Sequence, residues 1–417
     1  MSPGNPAGAP ILPAGARRLL AALTAAGGGV FLYGLLLGDA ARAWQALLVN
    51  TLFFGGLALA GVVLSALLQL TRARWGRPLK RAMEATAAFL PAALLLVATL
   101  LAGAGGWAPW VHNPPDGKAA WLNLPFFAAR ELAACLLLGG LAAAYVYHSV
   151  RPDIGLLHET GARPAAGWTR RLIAGWRGIA AERERGQRAQ DRLAAAVLIA
   201  YVPLFSLIAF DFVMALDAHW YSALLGGYFL TGNLTAGAAL LALVAAAGRH
   251  RPGIDGQVGP RQLHDAGNLL LGLSVLWAYM LWSQYLVIWY GDLPEEARFI
   301  HERMYGAWAP VTWTVIAAVF AVPFVLLLSK NRKLRPGWLT AIAGLVLAGV
   351  WLERFLLVAP SLWKGEGLPL GLTELLVTAG AASLFVLCWA GFLERVPMLP
   401  LSDPKLEPAR GGVQAGA

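Results

Sequence analysis

The chain has 417 residues, of which 58% are hydrophobic and only 13% charged, a balance that excludes an ordinary soluble domain and marks a polytopic membrane protein. Its formal net charge is +10, but Lys and Arg gather in short stretches between apolar runs, so membrane topology explains the excess better than a nucleic-acid partner does. Cys135 and Cys388 lie inside apolar runs without CxxC or CxxCH spacing, which leaves disulfide frameworks, zinc sites and covalently attached haem unsupported.

Residues 1–18 are rich in Pro and Gly and lack a short apolar core followed by a small-residue cleavage site, so they read as a flexible tail. Residues 19–394 then hold ten apolar runs, each long enough to cross a hydrocarbon layer of about 30 Å as a helix. The first, Leu19 to Leu37, has Gly27, Gly28 and Gly29 at its middle, where small residues permit close packing. The second, Trp44 to Leu70, ends in the basic loop TRARWGRPLKR. The third, Ala82 to Gly106, has Glu84 near its start and Pro91 inside it; an interior proline bends a helix or leaves a carbonyl without its donor. After it, Trp107, Trp110 and Trp121 suit a headgroup boundary, and Pro-Pro-Asp-Gly is a turn.

The fourth run, Trp121 to Val150, carries Arg130 next to Glu131, well below the surface at about 1.5 Å per residue. Adjacent residues point about 100° apart, so each needs a partner on another helix, either as a structural ion pair or in proton or substrate handling. Residues 151–191 form a long, basic hydrophilic connection in which Trp168, Ile173 and Trp176 recur at spacings that suit a short amphipathic surface helix; the alternative is a solvated loop. The fifth run, Leu193 to Leu216, contains Pro203 and Asp211, with Asp217 and His219 at its far end. The sixth, Tyr221 to Ala247, includes GGYFLTGNLTAG, whose small residues, Thr231, Asn233 and Thr235 read first as tight packing.

The seventh run, Ala266 to Tyr290, carries no formal charge but holds Ser274, Trp277, Tyr279, Ser283, Gln284 and Tyr285. Polar groups in lipid need partners within the protein, and Trp277 and Gln284, seven residues apart, share a helix face turned towards other helices. The eighth run, Tyr305 to Ser329, leads into the basic KNRKLRP; the ninth, Trp338 to Val358, holds the adjacent Glu353 and Arg354; the tenth, Leu372 to Leu393, begins near Glu374, and residues 395–417 form a polar tail.

Counting basic residues sets the orientation. The N-terminus, the loops after the second, fourth, sixth and eighth runs, and the C-terminal tail hold 25 Lys or Arg, whereas the opposite loops hold five, Arg42, Lys118, Arg298, Arg303 and Lys364. Both termini are therefore expected in the cytoplasm. Depth follows: Asp211, Asp217, His219, Gln284, Glu353, Arg354 and Glu374 fall in or near the outer third, Arg130 and Glu131 somewhat deeper, and Glu84, His148, His264 and Asp265 near the inner face.

Charged groups in a membrane core cost about 2.5 to 3.5 kcal/mol each on insertion scales. Either they neutralise one another as scaffold, or they line a hydrated pocket. Quinol oxidation needs such a pocket, because two electrons and two protons leave together and carboxylates or histidines must accept the protons. Bis-histidine haem would need paired histidines at one depth, and only His148 and His264, both at run ends, approach this. No Walker loop, HExxH or nucleophile elbow is present.

The stretches HNPPDGKAAWLNLPFFAAR, HWYSALLGGYFLTGN, HDAGNLLLGLSVLWAYMLWSQYLVIWYGDLPEE, PFVLLLSKNRKLRP and WLERFLLVAPSLW resemble the ActF-type membrane subunit of alternative complex III, a quinol:cytochrome c oxidoreductase. That family belongs to the wider NrfD-type group of nitrite and polysulfide reductase membrane subunits. The resemblance covers roughly residues 80–365, with WAYMLWSQYLVIWY its most specific part. It implies two four-helix bundles, runs two to five and six to nine, with a peripheral helix at each end. It also implies a bacterial inner-membrane location and assembly with a related quinone-binding membrane protein, an extracytoplasmic iron-sulfur subunit and c-type cytochromes. The pattern is departed from at Glu353-Arg354-Phe355, where Asp and, three positions on, Tyr are expected, and at Asn268, where Lys is frequent.

The sequence thus predicts an all-α integral membrane subunit of a quinol-oxidising complex, without haem or iron-sulfur cluster of its own. Glu131, Asp211, Asp217, His219 and Glu353 are candidate proton carriers, Gln284 and Tyr285 their hydrogen-bonding partners near quinone, and Arg130 and Arg354 the charge partners. Glu84, His264 and Asp265 are the inner-half candidates. A proton-coupled secondary transporter with a midplane site at broken helices, or a dry structural scaffold, are the alternatives.

Overall fold

The computed structural model describes residues 10–114, 117–162, 167–217, 219–250 and 254–406. The outermost parts of both expected tails, the Pro-Asp centre of the Pro-Pro-Asp-Gly turn and Arg163 lie outside the described residues. Among the described residues, ten helices are long and apolar enough to cross a membrane: α1 Ala14–Leu36, α2 Ala40–Leu70, α3 Arg77–Ala102, α4 Leu124–Glu159, α5 Ile179–Leu216, α6 Leu225–Gly248, α7 Pro260–Gly291, α8 Gly306–Leu327, α9 Pro336–Leu362 and α10 Leu372–Arg395. With no strand among the described residues, the protein is an all-α, multi-pass membrane protein.

Helix neighbours divide into two groups of the same order. In the first, α2 packs on α3, α3 on α4, α4 on α5 and α5 back on α2; in the second, α6 packs on α7, α7 on α8, α8 on α9 and α9 back on α6. Contacts of α2 with α6 and α9, and of α5 with α6, join the bundles. This central position explains why α2 and α6 are buried over 89% and 78% of their most apolar windows, against 22% for α7. A helix surrounded by helices is apolar on all sides, whereas one facing lipid carries its polar residues inward.

The two end helices are peripheral, as expected, but pack against each other on one flank of the first bundle, beside α2 and α3. Their crossing requires glycine. A Cβ on Gly27 would lie 2.7 Å from the Leu376 carbonyl oxygen and 2.8 Å from Gly380 Cα. The termini of the ten-helix array meet on the face that carries the basic loops, where Arg17 Nη2 pairs with Glu394 at 2.6 Å; this is the basic face, and the other end is the opposite face.

Three local expectations are corrected. The basic stretch before the third run is not a solvated loop, because α3 begins at Arg77 and buries Arg77, Lys80 and Arg81. The hydrophilic residues 151–191 largely continue α4 and α5 past the apolar zone, leaving a five-residue helix, Trp168–Leu172, between them. Trp176 lies against this hairpin and not on a lipid surface: a Cβ on Gly155 would fall 2.0 Å from its ring. Trp107 and Trp110, assigned to a headgroup boundary, are buried against Phe212 and Phe127 with ring centroids 5.8 and 5.0 Å apart, while Trp121 is exposed as expected.

Gly380→Val should force α1 and α10 apart and cost about 1–3 kcal/mol by overpacking, read as a lower unfolding temperature of the detergent-solubilised chain.

Candidate functional site

On the opposite side of the first bundle, Arg130 of α4 reaches Asp211 of α5 as a two-point pair, Nε to Oδ2 at 2.5 Å and Nη2 to Oδ1 at 2.9 Å. Its Nη1 donates to the Trp121 carbonyl at 2.7 Å, its guanidinium lies 4.2 Å from the Trp121 ring centroid, and the Trp121 indole donates to Asp211 Oδ1 at 3.1 Å. The partner on another helix that the sequence required is thus Asp211. Glu131, fully buried next to Asp211, is not so matched: neither carboxylate oxygen meets a donor in hydrogen-bonding geometry.

One turn along α4 from Glu131, Cys135 lines an apolar cavity of about 310 Å³. It runs from Leu90, Pro91 and Leu94 of α3 and Leu136 and Gly139 of α4 inward to Gly55 and Gly56 of α2 and Phe205, Ile208 and Phe212 of α5. Leu136 on its rim and the adjacent Leu95 are exposed, so the cavity opens sideways towards lipid.

A second cluster lies inside the second bundle, where Asn233 of α6 also packs against Gly56 of α2. Glu353 and Arg354 of α9 are completely buried and approach within 3.1 Å, Glu353 Oε2 to Arg354 Nη1, without hydrogen-bonding alignment. Arg354 Nη2 donates to the Phe229 carbonyl at 2.9 Å and to Asn233 Oδ1 at 3.2 Å, and its guanidinium lies 3.7 Å from the Phe229 ring centroid. Trp277 Nε1 points at Glu353 Oε1 across 3.5 Å, with Tyr228 beside the same carboxyl. The shared face of Trp277 and Gln284 is indeed buried, and with it Ser274. Gly232 creates the room, since a Cβ there would come 2.8 Å from Arg354 Nη2 and 3.1 Å from Glu353 Oε2.

The remaining outer candidates are not brought into one pocket. Asp217 pairs with Arg298 at 2.7 Å near the surface, His219 is exposed, and Glu374 pairs with Arg42 at 2.6 Å against α10. Gln284, its Oε1 without a hydrogen-bond partner, and the half-buried Tyr285 line a larger aromatic cavity of about 680 Å³ between α7 and α8, with Trp277, Trp282, Phe299 and Arg303.

The inner half holds the densest cluster, in the first bundle. Arg81 binds Glu84 Oε2 at 2.6 Å and also pairs with Asp153 of α4; Ser149 and Ser65 donate to the Glu84 oxygens at 2.9 and 3.2 Å, and Ser65 meets the Tyr145 hydroxyl at 3.0 Å. Arg77 binds Asp403 at 2.8 Å, and Lys80 lies 3.6 Å from Asp403 and 3.8 Å from Glu84. The three cations and three carboxylates therefore balance. Asp153 Oδ1 also accepts the Ser402 amide at 2.7 Å, so the segment after α10 closes the cluster. His264 and Asp265 lie apart from Glu84, half-buried in the second bundle beside Asn268, which accepts from Lys333 at 2.5 Å.

Sequence reasoning found Glu84 but missed Arg77, Lys80, Arg81, Asp153 and Asp403, because charges flanking an apolar run read as solvated. The available signal was helical spacing: Arg77, Arg81 and Glu84 recur at i, i+4 and i+7, one face of a helix. Asn233, read as packing, is the amide that holds Arg354.

No protein-family model matches the chain, and no curated protein matches it.

Arg81→Met should cost about 3–5 kcal/mol, because Glu84 and Asp153 would remain buried without their cation. Burial alone would raise Asp403, but Lys80 and Arg77 beside it hold it below the usual carboxylate range near pH 3.9. A depressed folded value means that its stabilisation is complete above about pH 4 and is lost as pH falls through that value. Proteolytic release of the segment after α10 should accordingly rise in that acid window in the native chain, and be high and independent of pH there in Asp403→Asn.

Proposed function

We propose that the chain is an integral membrane subunit of a quinol-oxidising respiratory electron-transfer complex, set in a bacterial inner membrane with its basic face and both termini in the cytoplasm. The resemblance in the five stretches quoted above and the unequal loop charges support this reading. The observation that carries it is Glu131, a fully buried carboxyl without a hydrogen-bond donor, one helical turn from a lipid-open apolar cavity. A lipid-soluble quinol reaches such a cavity between α3 and α4 without leaving the membrane, and its hydroxyl needs an acceptor there.

In this reading Glu131 takes a proton, and Asp211, fixed by Arg130, holds the neighbouring acid site on α5. Glu353, buried inside the second bundle, is a second proton carrier, with Arg354 as its charge partner and Gln284 and Tyr285 lining the adjoining cavity. Electrons pass to the iron-sulfur and c-type cytochrome partners that the resemblance implies, together with a related quinone-binding membrane protein. The inner cluster at Glu84 is separated from Glu131 by the apolar cavity, so the two suit proton exchange with different faces rather than one continuous wire.

Glu131→Gln should lower quinol oxidation by the intact complex at least about tenfold while leaving the subunits assembled. Asp211→Asn combined with Glu353→Gln should reduce proton release. Unchanged quinol oxidation and proton release in both would overturn the proton-handling role. Haem and iron-sulfur absorption that copurifies with the chain supports the complex; solute uptake by the chain alone would replace this reading with a transporter.

A further inference from the structure

The hairpin formed by α4 and α5 beyond the apolar zone encloses a polar pocket of about 310 Å³, lined by Tyr147, His148, Arg151, Arg177, Glu182 and Arg185, with Gly175 facing open space and Gly186 letting α5 approach His148 and Pro152 of α4. Its charges do not cancel. Arg151 is buried and saturated: Nε and Nη2 bind Glu182 at 2.9 and 3.2 Å, and its other donors go to the Tyr147 hydroxyl and to the carbonyls of Leu172 and Ala174. Glu182 is thereby fully engaged. Arg177 and Arg185 line the same pocket, exposed, and neither makes an ion pair or hydrogen bond to the protein among the described residues.

The pocket's height is informative. The lipid-facing side chains of α5, Ile199 and Val202, give way to charge at Arg192, and Arg185 lies seven residues further, about 10 Å at the helical rise. A headgroup layer extends about 5–8 Å beyond the hydrocarbon on each side, so the Arg185 backbone stands just outside that layer and the pocket extends from there towards Tyr147 and Arg151 of α4. Tyr147, half-exposed on α4, stands where aromatic side chains favour the interface. A pocket with two unpaired guanidinium groups at this level fits the planar, two-point recognition of phosphate oxygens better than binding of a neutral solute.

We infer that the pocket between α4 and α5 on the basic face binds a phosphate group, supplied by the headgroup of an anionic phospholipid. Arg177 and Arg185 contact the phosphate, and Arg151, held by Glu182, keeps the pocket wall in place. The inference is independent of the quinol reading and would survive its failure.

The test uses the full chain in detergent, titrated with short-chain phosphatidylglycerol, short-chain phosphatidylcholine and inorganic phosphate. Binding is compared with that of R177Q/R185Q and of R170Q/R171Q, which removes the same charge from exposed positions outside the pocket. Phosphatidylglycerol should bind the native chain in preference to phosphatidylcholine, and R177Q/R185Q should weaken it roughly 25-fold, about fivefold per arginine, at an unchanged unfolding temperature. R170Q/R171Q should bind nearly as the native chain does. Inorganic phosphate binding as tightly as the lipid and dependent on the same two arginines would support the phosphate site and overturn the lipid source. Equal loss in both double variants, or no loss in R177Q/R185Q, would overturn the site itself.

Discussion

Removing a charge from water must be compensated locally, and the inner end of the first bundle is built around that constraint. Arg81 occupies the centre of the solution, bound at once to Glu84 on its own helix and Asp153 on α4. Arg77, Lys80 and Asp403 complete a set in which positive and negative charges are equal in number, and Ser65, Ser149 and Tyr145 add hydrogen bonds around Glu84, though Arg81 Nε is left without an acceptor. Because α3 supplies four of the ions while α4 supplies Asp153 and the chain after α10 supplies Asp403, the network fixes the register of α3 against both. A buried ion network adds little net stability compared with apolar packing, but it penalises every arrangement that separates its members.

The opposite half applies the same rule less completely. Arg130 and Asp211 satisfy each other across α4 and α5, and Glu353 with Arg354 is enclosed between Phe229, Asn233 and Trp277. Glu131 and Gln284 are left over, each buried and each on a helix that borders a cavity. The cavities occupy matching places: between the second and third helices of each four-helix group, where helix contacts are sparse. One is almost wholly aliphatic and the other aromatic, so two bundles of the same neighbour order present different surfaces to lipid-soluble molecules.

The number of helices and their approximate limits were legible because length and hydropathy in a membrane are set by the bilayer, whereas the two-bundle grouping came only from the family resemblance and not from composition or repeats. That Arg130 needs a partner on another helix, though not which one, and that Trp277 and Gln284 share an inward face were also legible, since both follow from angles on a single helix. Which charges share a cluster was not. Asp217, His219 and Glu374 were expected at a depth similar to Asp211 yet have other surroundings, because depth is one coordinate and azimuth depends on packing between helices. The fate of Arg77, Lys80 and Arg81 depended on Asp153 and on Asp403, more than 300 positions away, which no local pattern connects to them.

The closing role of Ser402 and Asp403 has a consequence for biosynthesis. These residues follow all ten helices in the chain, so Arg77, Lys80 and Asp153 gain these partners only after every span has been synthesised. Docking of this segment therefore comes after the ten helices have been made, and it closes the charged end of the first bundle last.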